Sequence, residues 1–354
     1  MNIFFPAKIK EIKRLTDNAV NIEFEIPADI KSRFEFKAGQ YIVIRIPSLD
    51  ADQHRSYSLS ASPGEGKIQI GVKRLEGGLV SEYLWSKAES GDPVELMAPQ
   101  GSFFISDPQS VHSIVAFVSG SGITPVISIL KDHLSRSKEN VATLFYGNKT
   151  SSEAMYVAEL QGLMEAHIGR LEVIKVFSQQ LTGLKDLEGR IDKDKLDRWK
   201  TYMFDLNQVD NFLLCGPGTM VVELENAFKA YGVQQEKILT ELFTAPVDST
   251  IPKETITPIE DQYRLEYKVN GKWYEINVNS NSEVLVDIGL NQGLDLPYSC
   301  KSGVCSTCQA KLVSGTVKMD NNYVLSDKEL AQGFILTCQS HATSTHLKID
   351  YDMK

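Results

Sequence analysis

Four of the five cysteines in this 354-residue chain stand at Cys300, Cys305, Cys308 and Cys338, in the pattern C-x4-C-x2-C-x29-C. Thiolates are the usual ligands of iron–sulfur clusters, and three closely spaced cysteines with one distant partner form the plant-type [2Fe–2S] spacing. The residues between the first three ligands are Lys301-Ser302-Gly303-Val304 and Ser306-Thr307. Mostly small residues there let backbone N–H groups turn toward the sulfurs, and Gly303 permits a tight wrap. Structural zinc ordinarily pairs two C-x2-4-C knuckles, and the second knuckle is missing here. A disulfide scaffold would be shorter, with an even cysteine count. Rieske ligation needs two histidines in paired Cys-and-His motifs, whereas His341 and His346 merely follow Cys338. The pattern therefore predicts a small module built around a [2Fe–2S] cluster.

The rest of the chain is too long for that module alone. At about 100–200 residues per domain, the length predicts two or three. A hydrophobic share of 42% and a charged share of 23% are ordinary globular values, which exclude disordered and fibrous classes. A net charge of −9, from 37 basic against 46 acidic residues, argues against a nucleic-acid or anionic-membrane partner. The first residues lack a basic stretch followed by a long apolar run, so no signal peptide is expected and the protein reads as cytoplasmic. The stretch Ile114–Leu130 is apolar, but a membrane span needs about 20 such residues, and Ser119-Gly120-Ser121-Gly122 and Thr124-Pro125 interrupt it. Strand, glycine loop and helix is the better reading, and no membrane span is expected.

Hydrophobic periodicity divides the chain further. Val20, Ile22, Phe24 and Ile26 alternate with polar residues, as do Ile68, Ile70 and Val72, and turn clusters separate such runs over the first hundred residues. That is the pattern of an antiparallel barrel or sandwich. From Ile114 onward, short apolar runs at Ile114–Val118, Val141–Tyr146, Leu171–Phe177 and Asn211–Leu214 alternate with helix-like stretches such as Pro125–Leu134 and Ser152–Met164. Buried parallel strands in a doubly wound α/β domain read this way. Thr244–Gln262, with three prolines and no periodicity, reads as a linker. The expected division is a β-barrel over 1–105, an α/β domain over 106–245, a linker over 246–262 and the cysteine module over 263–354.

Three segments outside the cysteine module carry further chemistry. His54-Arg55-Ser56-Tyr57-Ser58-Leu59 follows a strand, and we read its cation, ring and hydroxyl as projecting to one face. Arg55 could then meet a pyrophosphate, Tyr57 stack on a flavin ring, and Ser58 sit near its reactive nitrogen; on its own the segment fits an ordinary strand face as well. Gly120-Ser121-Gly122-Ile123-Thr124-Pro125 joins a buried strand to a helix. Gly120 and Gly122 let backbone approach a phosphate, Thr124 can cap the helix, and Pro125 suits its first position. A plain tight connection would look the same. Cys215-Gly216-Pro217-Gly218 stands at the end of another strand, where a free cysteine is often just a small core residue.

Together these motifs carry a family resemblance. YSCKSGVCSTC and LTCQS make residues 263–354 resemble a plant-type ferredoxin domain. R-x-Y-[ST], G-x-G-[IV]-T-P and C-G-P resemble the ferredoxin–NADP reductase superfamily. The resemblance implies FAD held by Arg55, Ser56, Tyr57 and Ser58, by Val72 and Lys73, and by Gly78, Leu79, Val80 and Ser81 opening a short helix. It implies that the Gly120–Pro125 loop holds the NAD(P) pyrophosphate, and that Cys215, Gly216 and Pro217 lie beside the nicotinamide. Glu241 and Phe243, in an E-x-F stretch before the linker, would lie against the same site. Ser58, Cys215 and Glu241 would then surround the point of hydride transfer, which needs no general acid or base.

The choice of nucleotide turns on the second strand of the α/β domain. An acidic residue at its end would favour NAD. Instead the chain reads Asn148-Lys149-Thr150-Ser151, where Lys149 and Ser151 suit a 2′-phosphate, although Ser178-Gln179-Gln180 lacks an arginine. NADPH is expected, with NADH the alternative.

FAD, nicotinamide and a [2Fe–2S] cluster on one chain imply conversion of electron pairs into single electrons. The order resembles the reductase components of bacterial multicomponent oxygenases. YGNKTSSEAM, VFSQQ and GRID resemble the subgroup serving diiron ring-1,2-phenylacetyl-CoA epoxidases. The implied partner is such an oxygenase. Alternatives are a Rieske oxygenase, a desaturase, a ketosteroid hydroxylase, a heme or hybrid-cluster acceptor, or a redox-sensing role. From Asp261 onward the chain holds 11 acidic and 9 basic residues, so the negative excess lies mostly in the first two domains.

Overall fold

The computed structural model describes residues 4–49, 53–246 and 263–353. Most of the expected linker, residues 247–262, lies outside them. Contacts divide the chain into two compact units, one of Phe4–Pro246 and one at the C-terminal end.

The first unit begins with an antiparallel sheet of β1 (Phe4–Thr16), β2 (Ala19–Glu25), β3 (Tyr41–Arg45), β4 (His54–Ser58), β5 (Ile68–Lys73) and β6 (Pro93–Met97), in the order β4-β3-β6-β1-β2-β5. An antiparallel bridge from Leu59 to Ile70 joins the two edges and closes the sheet into a barrel. Closure leaves no edge to pair with another chain. Alternating residues such as Val20, Ile22, Ile42, Ile44, Ile70 and Val72 fill its interior. Helix α1 (Leu79–Ser86) lies between β5 and β6 in the chain.

A parallel sheet follows: β7 (Ser113–Ser119), β8 (Val141–Asn148), β9 (Leu171–Phe177), β10 (Asn211–Pro217) and β11 (Ile238–Thr244), in the order β11-β10-β7-β8-β9. Helices α2 (Ile123–Arg136), α3 (Val157–Ala166), α4 (Lys193–Tyr202) and α5 (Gly218–Ala230) connect the strands. The strand order reverses between β7 and β10, and the crevice beyond the C-terminal ends of such a pair is where doubly wound folds bind ligands. One core cluster includes Ile114, Val118, Ile127, Leu144 and Tyr146. Elsewhere Phe117, Phe145 and Trp199 stack, with Phe145 and Trp199 centroids 4.4 Å apart.

Two sequence expectations are corrected here. The helix expected from Ser152 begins only at Val157, because Tyr156 sits at φ 59° and breaks helical continuity. Its hydroxyl donates to Asn21 Oδ1 at 2.8 Å, tying the α/β part to the barrel. Pro125 is the third residue of α2 and not its first, because the helix starts at Ile123.

The second unit holds β12 (Tyr263–Val269), β13 (Lys272–Val278), α6 (Leu285–Asn291), β14 (Gln309–Ser314), β15 (Val317–Met319), α7 (Asp327–Ala331), β16 (Phe334–Leu336), β17 (Ser340–Ala342) and β18 (His346–Asp350). The main sheet runs β13-β12-β18-β14-β16, with β12 and β18 parallel, and β15 pairs with β17 separately. This is a ferredoxin-like β-grasp, in which Leu265, Tyr267, Leu285, Leu296 and Leu347 pack one core. Among the described residues no helix is long and apolar enough to cross a membrane.

Candidate functional site

In the first unit, three side chains from distant parts of the chain converge. Parallel pairing of β10 and β11 sets Cys215 beside Glu241 in register, with Cys215 Sγ 3.9 Å from Glu241 Oε2. Ser58, at the end of β4, donates to the same carboxylate oxygen at 3.2 Å. Burial pushes the Glu241 carboxyl up to about 8, and the Ser58 and Cys215 hydrogen bonds only partly offset this. Burial and the neighbouring Glu241 likewise push the Cys215 thiol up. At neutral pH the trio is therefore mainly uncharged.

The raised carboxyl has a consequence for stability. Between the ordinary value of 4.5 and about 8 the native state holds a proton that the unfolded chain releases, so Glu241 makes the fold less stable as pH rises through that window. Glutamine carries no such proton. The melting temperature of Glu241→Gln relative to wild type should rise from pH 5 to 8 and then level off, as read by thermal melts across pH. A difference that stays flat over this range would mean Glu241 is already ionised at pH 5.

The R-x-Y-S strand needs a correction. Burial alternates along β4: His54 and Ser58 are buried, while Arg55 is exposed and Tyr57 half-buried. Arg55 and Tyr57 thus share one face and Ser58 takes the other, as the two-residue period of a strand requires. Ser56 is half-buried between them. Among the described residues the Arg55 guanidinium bonds His54 O and Gln53 Oε1, which leaves further N–H groups for an anion. Val72 and Val80 turn their side chains into the barrel core, so only their backbone can face a ligand. Gly78 begins α1 without a side-chain cap, Leu79 is exposed, and the Ser81 hydroxyl is spent on Gly78 O and Leu75 N. The uncapped first amides of α1 suit a phosphate.

Lys73 is more committed than its sequence suggested. Its ammonium pairs with Glu153 at 2.8 Å, and Glu153 belongs to the loop after β8 that carries Lys149 and Ser151. No sequence signal announces a contact between residues this far apart.

At the switch point, Gly120 has φ +57° and Gly122 presses on the end of β10. A Cβ on Gly122 would lie 2.5 Å from Cys215 O. The expected cap is absent: Thr124 Oγ1 donates to Ser121 O at 3.0 Å, and α2 has no side-chain cap. At the start of α2 the Ile123 N–H is already bonded to Gly120 O and Ser121 O and Pro125 has none, so a dinucleotide pyrophosphate would be met by the glycine loop itself. Pro217 is the uncapped N-cap of α5, and Gly216 has φ +148°. Phe243, two residues beyond Glu241 on β11, is 36% exposed. Lys149 is exposed, and the Ser151 N–H donates to Gln180 Oε1 at 2.7 Å.

In the second unit the cluster loop is wound for sulfur. Lys301, Gly303 and Ser306 all have positive φ (50°, 77° and 53°), a winding that turns successive N–H groups toward one side. The Cys300 N–H donates to Cys305 Sγ at 3.5 Å and the Ser302 N–H to Cys300 Sγ at 3.4 Å. Gly303 is confined, since a Cβ there would lie 3.2 Å from Asn321 O. Gln339 Nε2 ties the turn that carries Cys338 to the loop through Lys301 O and lies 3.7 Å from Cys338 Sγ. Cys308 and Cys338 are buried, and Cys300 and Cys305 are half-buried. Among the described residues no three His, Cys, Asp or Glu converge on a single-ion site; a two-iron cluster does not require this, taking its thiolates two to an iron. Donor chemistry, N–H orientation and spacing all fit that cluster.

The pieces define a class: a flavin- and nicotinamide-dependent iron–sulfur reductase. Residues 6–105 match the oxidoreductase FAD-binding domain, 117–225 the oxidoreductase NAD-binding domain, and 267–343 the 2Fe-2S iron-sulfur cluster binding domain. The chain is 33% identical to a subunit of the 1,2-phenylacetyl-CoA epoxidase of Escherichia coli, over 100% of this chain and 99% of the relative. It is 29% identical to the ferredoxin reductase component of 3-ketosteroid-9-alpha-monooxygenase from Rhodococcus rhodochrous, over 95% and 93%. The crystal structure of phthalate dioxygenase reductase shares the fold, with a TM-score of 0.58, 21% identity and 98% of each chain covered. The chain belongs to the family of electron-transfer reductase components of multicomponent oxygenases.

Proposed function

We propose that this reductase draws electrons from NADPH and delivers them to a diiron oxygenase acting on phenylacetyl-CoA, in the cytoplasm. The observation that carries this reading is the 33% identity to the phenylacetyl-CoA epoxidase component over 100% of this chain and 99% of the relative. When bound, FAD accepts an electron pair from the nicotinamide, and the [2Fe–2S] cluster passes electrons on singly. We assign residues 1–105 to the flavin, 106–245 to the nucleotide, 246–262 to the linker and 263–354 to the cluster.

The chain's own residues position and insulate. Arg55 and the start of α1 hold the flavin's phosphates, while Tyr57 supports its ring. The Gly120–Pro125 loop and Pro217 hold the dinucleotide, and Lys149 and Ser151 meet the 2′-phosphate. Ser58, Cys215 and Glu241 line the point of hydride transfer with a network that is uncharged near neutrality, so no fixed charge competes there. Cys300, Cys305, Cys308 and Cys338 hold the cluster.

Purified full-length protein with NADPH, the diiron oxygenase and phenylacetyl-CoA tests the proposal. NADPH oxidation should rise with added phenylacetyl-CoA and yield one oxygenated product per NADPH consumed. The 29% identity to the ketosteroid monooxygenase component supports the second reading. Coupling to a 3-ketosteroid oxygenase, with none to phenylacetyl-CoA, would replace the first reading with that one.

A further inference from the structure

Gly71 is out of place in the strand that carries it. Ile68, Ile70 and Val72 of β5 fill the barrel core, which leaves Gly71 on the outer face between Gln69 and Lys73. A glycine inside a strand weakens it and marks a place where something else comes close. Its backbone is not left-handed, so no turn calls for it. Space does: a Cβ there would lie 2.5 Å from the Tyr156 hydroxyl, 2.7 Å from Thr124 Cγ2 and 2.9 Å from Met155 Cε. All three neighbours come from the α/β part of the unit, and all three are buried.

Two of these neighbours are pinned. The Tyr156 hydroxyl donates to Asn21 Oδ1 at 2.8 Å, and antiparallel register sets Asn21 directly across from Gly71. The hydroxyl is thus seated in a slot between the two residues. Its backbone, at φ 59°, lies in a region that a bulky residue enters only when its surroundings impose it. Thr124 Oγ1 donates to Ser121 O at 3.0 Å, which fixes its methyl against Gly71. Only Met155 Cε is the end of a flexible side chain. The Met155 N–H in turn donates to the Tyr146 hydroxyl at 3.0 Å, and that hydroxyl donates to Gly120 O at 3.2 Å. A continuous buried path therefore runs from the glycine loop to β5, one residue before Val72.

We propose that Tyr156 is a positioning residue for hydride transfer: seated against Gly71, it fixes the gap between the flavin strand and the nucleotide loop. The rate of that transfer depends on the spacing between what the barrel holds and what the parallel sheet holds. A misplacement of about 1 Å at such a centre costs about a hundredfold. Tyr156 acts through Gly71 and Asn21 on one side, and through Met155 and Tyr146 on the other. A hydroxyl lodged between bare backbone and a carboxamide stops the two layers at one distance and one direction, whereas apolar packing alone would let them slide. This rests on the reading above that places the flavin along β4 and β5 and the nucleotide at the glycine loop.

Stopped-flow reduction of the flavin by NADPH in the full-length protein tests it. The flavin difference spectrum and the calorimetric affinity for NADP+ are measured alongside, with flavin content per chain as the check on folding. Tyr156→Phe keeps the ring and removes the hydroxyl. It should slow flavin reduction about tenfold and at least about halve the difference spectrum, while NADP+ affinity stays within about twofold of wild type. Asn21→Ala removes the acceptor and keeps the tyrosine. It should give the same result, and it decides the matter if the phenylalanine variant lacks flavin. Gly71→Ala should slow reduction about thirtyfold. Combined with Tyr156→Phe it should be no slower, because both substitutions act at one contact. Reduction within about twofold of wild type in both Tyr156→Phe and Asn21→Ala, at full flavin content, overturns the proposal. So does a double variant slowed about three-hundredfold, the product of independent effects. An NADP+ affinity that falls in step with the rate overturns it too, since Tyr156 would then serve binding. Wild-type flavin reduced by NADH and not by NADPH would overturn the NADPH reading instead, and the same variants measured with NADH and NAD+ would still decide on Tyr156.

Discussion

Replacing Cys305 with alanine should abolish cytochrome c reduction by NADPH, with a fall of at least about a hundredfold, while ferricyanide reduction stays within about twofold of wild type. Alanine offers no donor, and its methyl cannot receive the Cys300 N–H that meets Cys305 Sγ at 3.5 Å. A plant-type cluster needs all four thiolates, so the visible iron–sulfur absorption should disappear with the activity. The barrel and parallel sheet form a compact unit of their own, Phe4–Pro246. The flavin and nucleotide segments belong to that unit, so flavin content and direct reduction of ferricyanide should persist. A hundredfold loss corresponds to about 2.7 kcal/mol in the barrier. Unchanged cytochrome c reduction without a cluster would remove the iron–sulfur centre from the electron path and favour a sensing role.

Gly122→Ala should have a comparably large effect on the nucleotide side. The new Cβ would lie 2.5 Å from Cys215 O, 2.8 Å from Cys215 C and 3.1 Å from Gly216 N. All three are backbone atoms, so no flexible side chain can yield. The loops after β7 and β10 must separate, by about 1 Å to reach ordinary contact, and a displacement of that size at a reacting centre can cost about a hundredfold. We expect kcat/KM for NADPH with ferricyanide to fall by about that factor. Reduction of the flavin and cluster by dithionite should remain unchanged, since it bypasses the nucleotide. Equal losses with both reductants would show that the substitution had damaged the flavin site or the fold.

Much of this organisation was legible along the chain, for identifiable reasons. The cysteine spacing survives reading as a string because three ligands belong to one short loop. The loops at Gly120 and Gly216 were legible because each joins a strand to a helix within a few residues. Local rules were also where reading erred. The R-x-Y-S motif suggests one face for Arg55, Tyr57 and Ser58, although a strand's two-residue period sends Ser58 to the other. Thr124 looked like a cap, but its hydroxyl is used by Ser121 O. Nothing in the string marks Tyr156 as left-handed, so periodicity alone starts α3 too early; its hydroxyl meets Asn21, in another sheet.

The amino-acid sequence by itself determined the three-part order, the cysteine spacing and the glycine turns, most of which depend on residues close together in the chain. Tertiary structure alone decided that Ser58 and Cys215 share the carboxylate of Glu241, and that Lys73 meets Glu153. Those facts depend on strand order and register, which bring side chains together across the sheets. The Glu241 carboxyl shows the difference most clearly: its identity is written in the sequence, but its protonation near neutral pH follows from burial that only the folded crevice imposes.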